Sequence, residues 1–136
     1  MINFLLAIIL FVLLSPLSLF IYMLIVIIDG APAIYKQKRC GKNGDFFLLY
    51  KFRTMQKNVA DLPTHLLENP NQLITRTGFF LRQFSLDELP QLFNVIKGEM
   101  TFIGPRPALY NQDDLINHRK QKGINVTKPG ITGWAQ

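Results

Sequence analysis

An uncharged apolar segment at the N-terminus constrains this 136-residue chain more than any other feature. Residues 1–28 carry no charged side chain, and Phe4–Ile28 is interrupted by only a few polar residues. As one helix, this stretch would be about 37 Å long, which exceeds the roughly 30 Å hydrocarbon core of a bilayer. We therefore predict a membrane-embedded segment over 1–28 and a globular domain over 29–136.

The pair Ser15-Pro16 in the middle of the segment leaves two topologies open. Pro16 cannot donate a backbone hydrogen bond and can kink a helix, while Ser15 can satisfy a freed carbonyl. The segment could span the bilayer as a kinked helix, or turn back at the pair and leave by the same leaflet. The pattern alone favours the spanning helix.

The charges of the domain predict where it lies and what it binds. Four cations follow the apolar segment directly: Lys36, Lys38, Arg39 and Lys42. By the positive-inside rule they place the domain in the cytoplasm. The formal net charge of +6 favours anionic partners, namely phosphorylated ligands and membrane lipid headgroups, and the membrane tether disfavours nucleic acid. A single cysteine, Cys40, excludes an intramolecular disulfide and a cysteine-built metal site.

A β-hairpin is predicted over two short runs, 33–39 and 45–55, that flank the turn pair Asn43-Gly44. Alternate residues of the second run form a continuous apolar face, and Lys51 and Arg53 lie together on the other face. Two cations on one rigid strand can bind a phosphate. The alternative is that they are a solvated charge pair on an edge strand.

Three elements are predicted further along the chain. Residues 56–72 form a loop, Thr75–Phe84 a short amphipathic helix, and Leu109–Lys122 a polar surface helix. Arg82, in the first of these helices, lies close enough in sequence to Asp87 to reach a phosphate held there.

Two adjacent carboxylates, Asp87 and Glu88, are the leading candidates for chemistry. Apolar residues at three- and four-residue spacings predict a helix from this pair to Lys97: Leu86, Leu89, Leu92, Phe93 and Ile96. Gly98 then ends the helix. The pair lies at its N-terminal edge, where the helix dipole favours negative charge. The alternative is that Ser85 and Glu88 merely form a capping box.

A rigid corner, Pro105-Arg106-Pro107, follows one element later. Proline fixes φ, so the two flanking prolines restrict the backbone around the arginine. Neighbouring acids followed by a fixed arginine predict a site that binds a metal ion and a phosphate. The expected fold class is α+β and mostly helical, with a small hairpin and short helices around the acidic pair.

Taken together, these residues resemble the bacterial sugar transferase family, the monotopic phosphoglycosyl transferases. The matching motifs follow the family's order: Ser15-Pro16, Tyr50–Met55, Ser85–Asn94, Phe102–Pro107 and Pro129–Gly133. The resemblance implies transfer of a sugar-1-phosphate from a UDP-sugar to polyprenyl (undecaprenyl) phosphate, with release of UMP. It also implies a re-entrant helix broken at Ser15-Pro16 and a catalytic domain on the cytoplasmic face of the bacterial inner membrane.

The resemblance further assigns roles to single residues. Asp87 would attack the β-phosphorus and form a phospho-aspartyl intermediate, and Glu88 would hold Mg²⁺. The remaining residues would bind the diphosphate: Lys51, Arg82 and the corner Pro105, Arg106 and Pro107. Arg53 joins this set from the strand pattern alone.

The chain departs from the family at both ends. Members usually begin with a basic stretch before the apolar segment and continue well past the Pro129–Gly133 motif, whereas this chain ends at Gln136. We therefore expect a member truncated at its C-terminus. Two alternatives stay open: an inactive membrane-surface module that binds lipid or a partner, and a metal-dependent phosphohydrolase in which water replaces the lipid phosphate.

Overall fold

The structure is a computed structural model that describes residues 2–57, 59 and 69–133. Its helices are α1 (Ile2–Ile28), α2 (Arg76–Gln83), α3 (Gln91–Ile96) and α4 (Asp113–Gln121), and its strands are β1 (Ile34–Cys40), β2 (Phe46–Phe52), β3 (Thr101–Ile103) and β4 (Gly130–Thr132). Short 3₁₀ turns occur at Lys42–Gly44, Pro70–Leu73, Leu86–Glu88 and Ile124–Val126. This arrangement confirms the α+β, mostly helical class. Most of the predicted loop over 56–72 lies outside the described residues.

Helix α1 continues through Pro16, so the predicted break at Ser15-Pro16 is not present as an interruption of the helix. In a regular helix the N–H of residue 16 would bond to the carbonyl of Val12, and proline has no N–H. The hydroxyl of Ser15 donates to that same Val12 carbonyl at 2.7 Å. The serine thus supplies the hydrogen bond that the proline lacks, and this accounts for the continuous helix.

Helix α1 packs along the globular part instead of projecting from it. Its buried and half-buried residues include a series spaced by three or four positions over most of its length: Ala7, Leu10, Leu14, Ser18, Ile21 and Ile25. Ala7 packs with Leu49, Val95 and Met100, while Ile21 and Ile25 pack about 21–27 Å further along with Ala33, Phe52 and Leu81. Both hydrophobic clusters formed by the described residues therefore include α1.

The predicted hairpin is confirmed, with β1 and β2 antiparallel in a register that pairs Ile34 with Phe52 and Cys40 with Phe46. Asn43 and Gly44 both have positive φ, at 57° and 84°, as their turn requires. The predicted apolar face of β2 is buried only towards its end, where Phe52 is buried, while Phe46 and Leu48 are exposed. The opposite face of the strand buries Leu49.

The predicted helices are present with different bounds. Thr75 caps α2 by accepting a hydrogen bond from the Gly78 amide at 3.0 Å. Helix α3 ends before Gly98, whose φ of 77° suits a helix stop. Its predicted start is wrong, because Asp87 and Glu88 lie in a separate 3₁₀ turn and Pro90 stands at the α3 N-cap. Helix α4 is shorter at both ends than the predicted surface helix.

A parallel pair of short strands, β3 and β4, was not predicted from the sequence. Thr101 pairs with Gly130 and Ile103 with Thr132. The backbones approach so closely that a Cβ on Gly130 would lie 2.1 Å from the Gly104 amide nitrogen. Glycine is therefore required here for close contact, and the pair holds the chain just before the Pro105-Arg106-Pro107 corner.

Candidate active site around Asp87 and Glu88

The two carboxylates lie in a tight turn between α2 and α3. Ser85, which begins this turn, has a φ of 54° and its side chain makes no capping hydrogen bond. The Glu88 carboxylate accepts a hydrogen bond from Lys51 Nζ at 3.2 Å instead of closing back on the turn. The capping-box alternative is therefore wrong, and Glu88 is committed to a contact with a distant strand.

Two cations from different parts of the chain meet at one oxygen of Glu88. Lys51, on β2, lies 3.2 Å from Glu88 Oε1, and Arg106 Nη2 lies 3.8 Å from the same atom. The Arg106 side chain is 53% exposed, so most of its guanidinium faces solvent. The structure thus brings together three residues that the sequence placed in one site.

Burial shifts Asp87 and Lys51 towards their neutral forms. It raises the pKa of Asp87, and Lys51 and Arg82 oppose that shift while Glu88 adds to it. Burial also lowers the pKa of Lys51, against the attraction of Glu88 and Asp87. A carboxylate and a lysine whose pKa values are shifted in this way are typical of functional sites, and an anionic ligand would stabilise the charged form of Lys51.

Arg82 approaches the pair from α2, as predicted. Its Nε donates to Thr54 Oγ1 at 2.9 Å, and its charge acts on Asp87. Thr54 is buried just after β2, and sequence reasoning did not single it out. Its position two residues after a basic strand end carries no distinctive signal.

Asn94 is a second functional neighbour that the sequence analysis missed. It is fully buried and accepts a hydrogen bond from the Tyr50 amide at 3.1 Å. Its side-chain amide donates to the Leu48 carbonyl and to Glu99, each at 2.7 Å. These bonds fix β2 against α3 next to Lys51. The amide inside the apolar run Leu92–Ile96 was the available signal.

Arg53 does not join the site, and its predicted role as a phosphate ligand is wrong. Its Nη2 donates to the backbone carbonyls of Asp29 and Gly30 at the end of α1. Strand β2 ends at Phe52, so the alternation that placed Arg53 beside Lys51 no longer applies. The side chain is buried and serves to join α1 to the hairpin.

The three corner residues line two different cavities. Pro107 and Arg106 line a small cleft together with Lys51 and Glu88. Pro105 faces a separate cavity of about 310 Å³, whose lining also includes Cys40. Pro107 thus lies in the cleft with Glu88, as the sequence predicted, while Pro105 lies on the side of the corner that faces the other cavity.

The donors present suit magnesium only together with a substrate. Within the described ranges, no three His, Cys, Asp or Glu side chains are grouped as a metal cage. Asp87 and Glu88 offer hard oxygen donors, and Mg²⁺ commonly binds one or two carboxylates plus phosphate oxygens and water. The pair therefore fits a magnesium ion that is shared with a bound diphosphate.

The carboxylate pair and the three cations form a site suited to phosphate groups, and the apolar helix α1 packs beside it. This chain belongs to the bacterial sugar transferase family, whose model matches residues 1–136. The family membership predicted from the motifs is thereby confirmed.

Several similar proteins have curated names. One is the UDP-glucose:undecaprenyl-phosphate glucose-1-phosphate transferase of Xanthomonas campestris pv. campestris, 44% identical over 126 residues, which are 89% of this chain and 26% of that protein. The undecaprenyl-phosphate galactose phosphotransferase of Salmonella typhimurium is 38% identical over 138 residues, covering 90% and 28%. The uncharacterized sugar transferase EpsL of Bacillus subtilis is 47% identical over 107 residues, covering 79% and 52%. The match thus spans between about a quarter and about half of these relatives' lengths.

Proposed function

We propose that this protein transfers a sugar-1-phosphate from a UDP-sugar to polyprenyl (undecaprenyl) phosphate and so begins the assembly of a bacterial glycan. The observation that carries the proposal is the contact of Lys51 and Arg106 with Glu88, beside Asp87, with Arg82 near enough for its charge to act on Asp87. Three cations can offset the charge of a diphosphate, and a carboxylate can attack phosphorus. The names of two similar proteins, which specify undecaprenyl phosphate as acceptor, support the same substrate class.

Asp87 is the nucleophile in this proposal. Its carboxylate oxygen forms a bond to the β-phosphorus, the bond to the bridging oxygen breaks, and UMP leaves with that electron pair. An oxygen of polyprenyl phosphate then attacks the phospho-aspartyl phosphorus and restores the Asp87 carboxylate. Asp87 suits this role better than Glu88 because burial raises its pKa, which makes the ionised group more basic, while Glu88 Oε1 is already paired with Lys51.

Glu88 serves as the protein ligand for Mg²⁺ in the same proposal. The ion, when bound, would neutralise charge on the diphosphate and on the leaving phosphate. Lys51 and Arg106, which meet at Glu88 Oε1, would keep this carboxylate in place and bind phosphate oxygens on either side of it.

Helix α1 supports a location at the bacterial inner membrane, with the globular part on the cytoplasmic face. It is the one described helix that is long and apolar enough to cross a bilayer. Both of its ends contact the globular part, at Ala7 and at Ile25. A helix perpendicular to the bilayer would carry charged residues of the β1–β2 hairpin, such as Lys51, into the hydrocarbon, which is costly. We therefore favour a continuous helix that stays in one leaflet, without a turn at Ser15-Pro16, over the spanning helix that the pattern alone favoured.

The experiment that tests this function follows UMP release from purified, detergent-solubilised protein with Mg²⁺, a panel of UDP-sugars and undecaprenyl phosphate. Asp87→Asn should reduce release to background, because the amide cannot act as the nucleophile. Asp113→Asn, which changes an exposed acid on α4, is the matched control and should retain activity. If folded protein releases no UMP, the inactive membrane-surface module becomes the favoured interpretation. Free sugar phosphate without a lipid product would indicate a phosphohydrolase.

A further inference from the structure

The Pro105-Arg106-Pro107 corner is held by its carbonyl groups. Two of its three residues are prolines, which have no backbone N–H to donate. The Pro105 carbonyl accepts from the Gly130 amide at 3.0 Å, and the Arg106 carbonyl from Arg119 Nη1 at 2.6 Å. The Pro107 carbonyl accepts from Arg39 Nη1 at 2.9 Å. Three consecutive carbonyls are thus bound by three different elements: β4, α4 and β1.

Arg39 is itself fixed in the geometry that this contact needs. Its Nε and Nη2 both donate to Gln37 Oε1, and Gln37 is only 8% exposed. The end of β1 also pairs with the chain after the corner, through a bridge to Leu109 and a bond from the Cys40 amide to the Ala108 carbonyl at 2.9 Å. One edge of the guanidinium is thus anchored while its other end holds the corner, which a lysine ammonium cannot do.

Arg119 holds the corner from the opposite side. It projects from α4 and lines the cavity of about 310 Å³ that Pro105 also faces. Burial lowers its pKa, which reflects a guanidinium turned towards the protein. Its bond to the Arg106 carbonyl acts on the residue whose own side chain reaches Glu88.

We propose that Arg39 and Arg119 are positioning residues that fix the backbone of Arg106, so that its guanidinium meets the donor diphosphate beside Glu88. The role of Arg106 rests on the proposed function. A long, half-exposed side chain can be preorganised only if its backbone is held, and preorganised cations stabilise charge in the transition state. Arg39 and Arg119 act through Arg106 and do not touch the substrate.

A double-mutant cycle tests the proposal. Arg39→Met and Arg119→Met should each lower kcat/KM for the UDP-sugar by about 10- to 100-fold, since small misplacements of a binding group have effects of this size. In an Arg106→Met background, either change should cause little further loss, because Arg106 no longer needs positioning. Additive losses would overturn the proposal. Lys122→Met, which removes an exposed cation near α4, should leave kcat/KM unchanged.

A lysine substitution separates positioning from attraction of an anionic substrate. Arg39→Lys keeps the charge and loses the forked contact, so it should impair the enzyme about as much as Arg39→Met. Wild-type activity in Arg39→Lys would show that charge alone matters, and the positioning role would be wrong.

Hydrogen exchange provides a readout that does not depend on turnover. The amides of Cys40, Leu109 and Gly130, which bond to the Ala108 carbonyl, the Gln112 side chain and the Pro105 carbonyl, should exchange faster in Arg39→Met and Arg119→Met than in wild type and in Lys122→Met. Unchanged exchange would overturn the proposal even if activity falls. If the wild-type protein releases no UMP, the proposed function is wrong, but the positioning role can still be tested. The double-mutant cycle is then measured on the dissociation constant for UDP, and hydrogen exchange still reports whether Arg39 and Arg119 hold the corner.

Discussion

The two sides of the candidate site are held by different forces. The acidic turn rests on packing: Leu86 and Leu89, on either side of Asp87 and Glu88, lie against the hydrophobic cluster that includes Ile25 of α1. The corner that carries Arg106 is held by hydrogen bonds to its carbonyls and by close contact between glycine backbones. One side therefore depends on burial of apolar area, and the other on directional polar contacts.

This difference predicts different responses to substitution. Loss of a buried methyl or methylene group is felt across a packed cluster. Loss of a hydrogen bond or a glycine contact at the corner is felt locally, because each of these contacts joins only two groups. Substitutions on the packed side should therefore mainly lower the stability of the fold, whereas substitutions at the corner should mainly change the geometry of the site.

The largest expected effect on stability comes from the packed side. Ile25→Ala removes a fully buried side chain of α1 and should lower the free energy of unfolding by about 2–4 kcal/mol. Exchange at Leu89 should rise, while exchange at Ala108 should change less. Thermal unfolding in detergent with exchange mass spectrometry measures both.

The matched control for this change is Ile27→Ala. Ile27 has the same chemistry on the same helix but is 76% exposed, so its loss should cost little. Equal losses from the two variants would show that α1 does not pack on the domain as described. The contrast between the two sides would then break down.

A smaller effect is expected from the corner. Gly130→Ala would place a Cβ 2.1 Å from the Gly104 nitrogen, so β3 and β4 must separate. We expect a loss of about 1–3 kcal/mol in the free energy of unfolding, with increased exchange at Gly104 and Thr132. Gly41→Ala is the control, because a Cβ there would lie 3.1 Å from the movable side chain of Phe47 and 3.2 Å from the Asp45 carbonyl oxygen, both well beyond the 2.1 Å contact at Gly130. A Gly130→Ala protein with native stability would contradict the close contact.

The sequence predicted the elements whose signals are local. Asn43-Gly44 marked the hairpin, Gly98 marked the end of α3, and the acidic pair and the corner marked the site. These features depend on φ preferences and on residue types at short spacing, which a single sequence displays.

The features that the sequence did not predict depend on contacts between distant segments. The β3–β4 pair joins residues about 30 positions apart through glycines, and glycine alone does not indicate a partner. Arg53 was misplaced because strand alternation holds only to Phe52. The break at Ser15-Pro16 was implied by the resemblance and not by the pattern, and the Ser15 hydroxyl, which replaces the bond missing at Pro16, keeps α1 continuous.

The smallest effect concerns the charge of Asp87, and its sign follows from burial. Because the folded state raises the pKa of Asp87, folding favours the protonated carboxyl. In the pH range from the ordinary aspartate value of about 3.9 up to the raised value, the folded state binds more protons than the unfolded state. The free energy of unfolding of the wild type should therefore fall as pH rises through this range.

Asp87→Asn removes this dependence because the amide carries no charge at any pH. At neutral pH the variant should melt about 1–3 °C above the wild type, and the difference should close as the pH approaches about 4. Melting curves of both proteins across that range measure the effect. A variant that is less stable at neutral pH would mean that Lys51 and Arg82 stabilise the carboxylate more than burial costs. Asp87 would then be held as a structural ion pair, and its raised basicity would no longer support the choice of nucleophile.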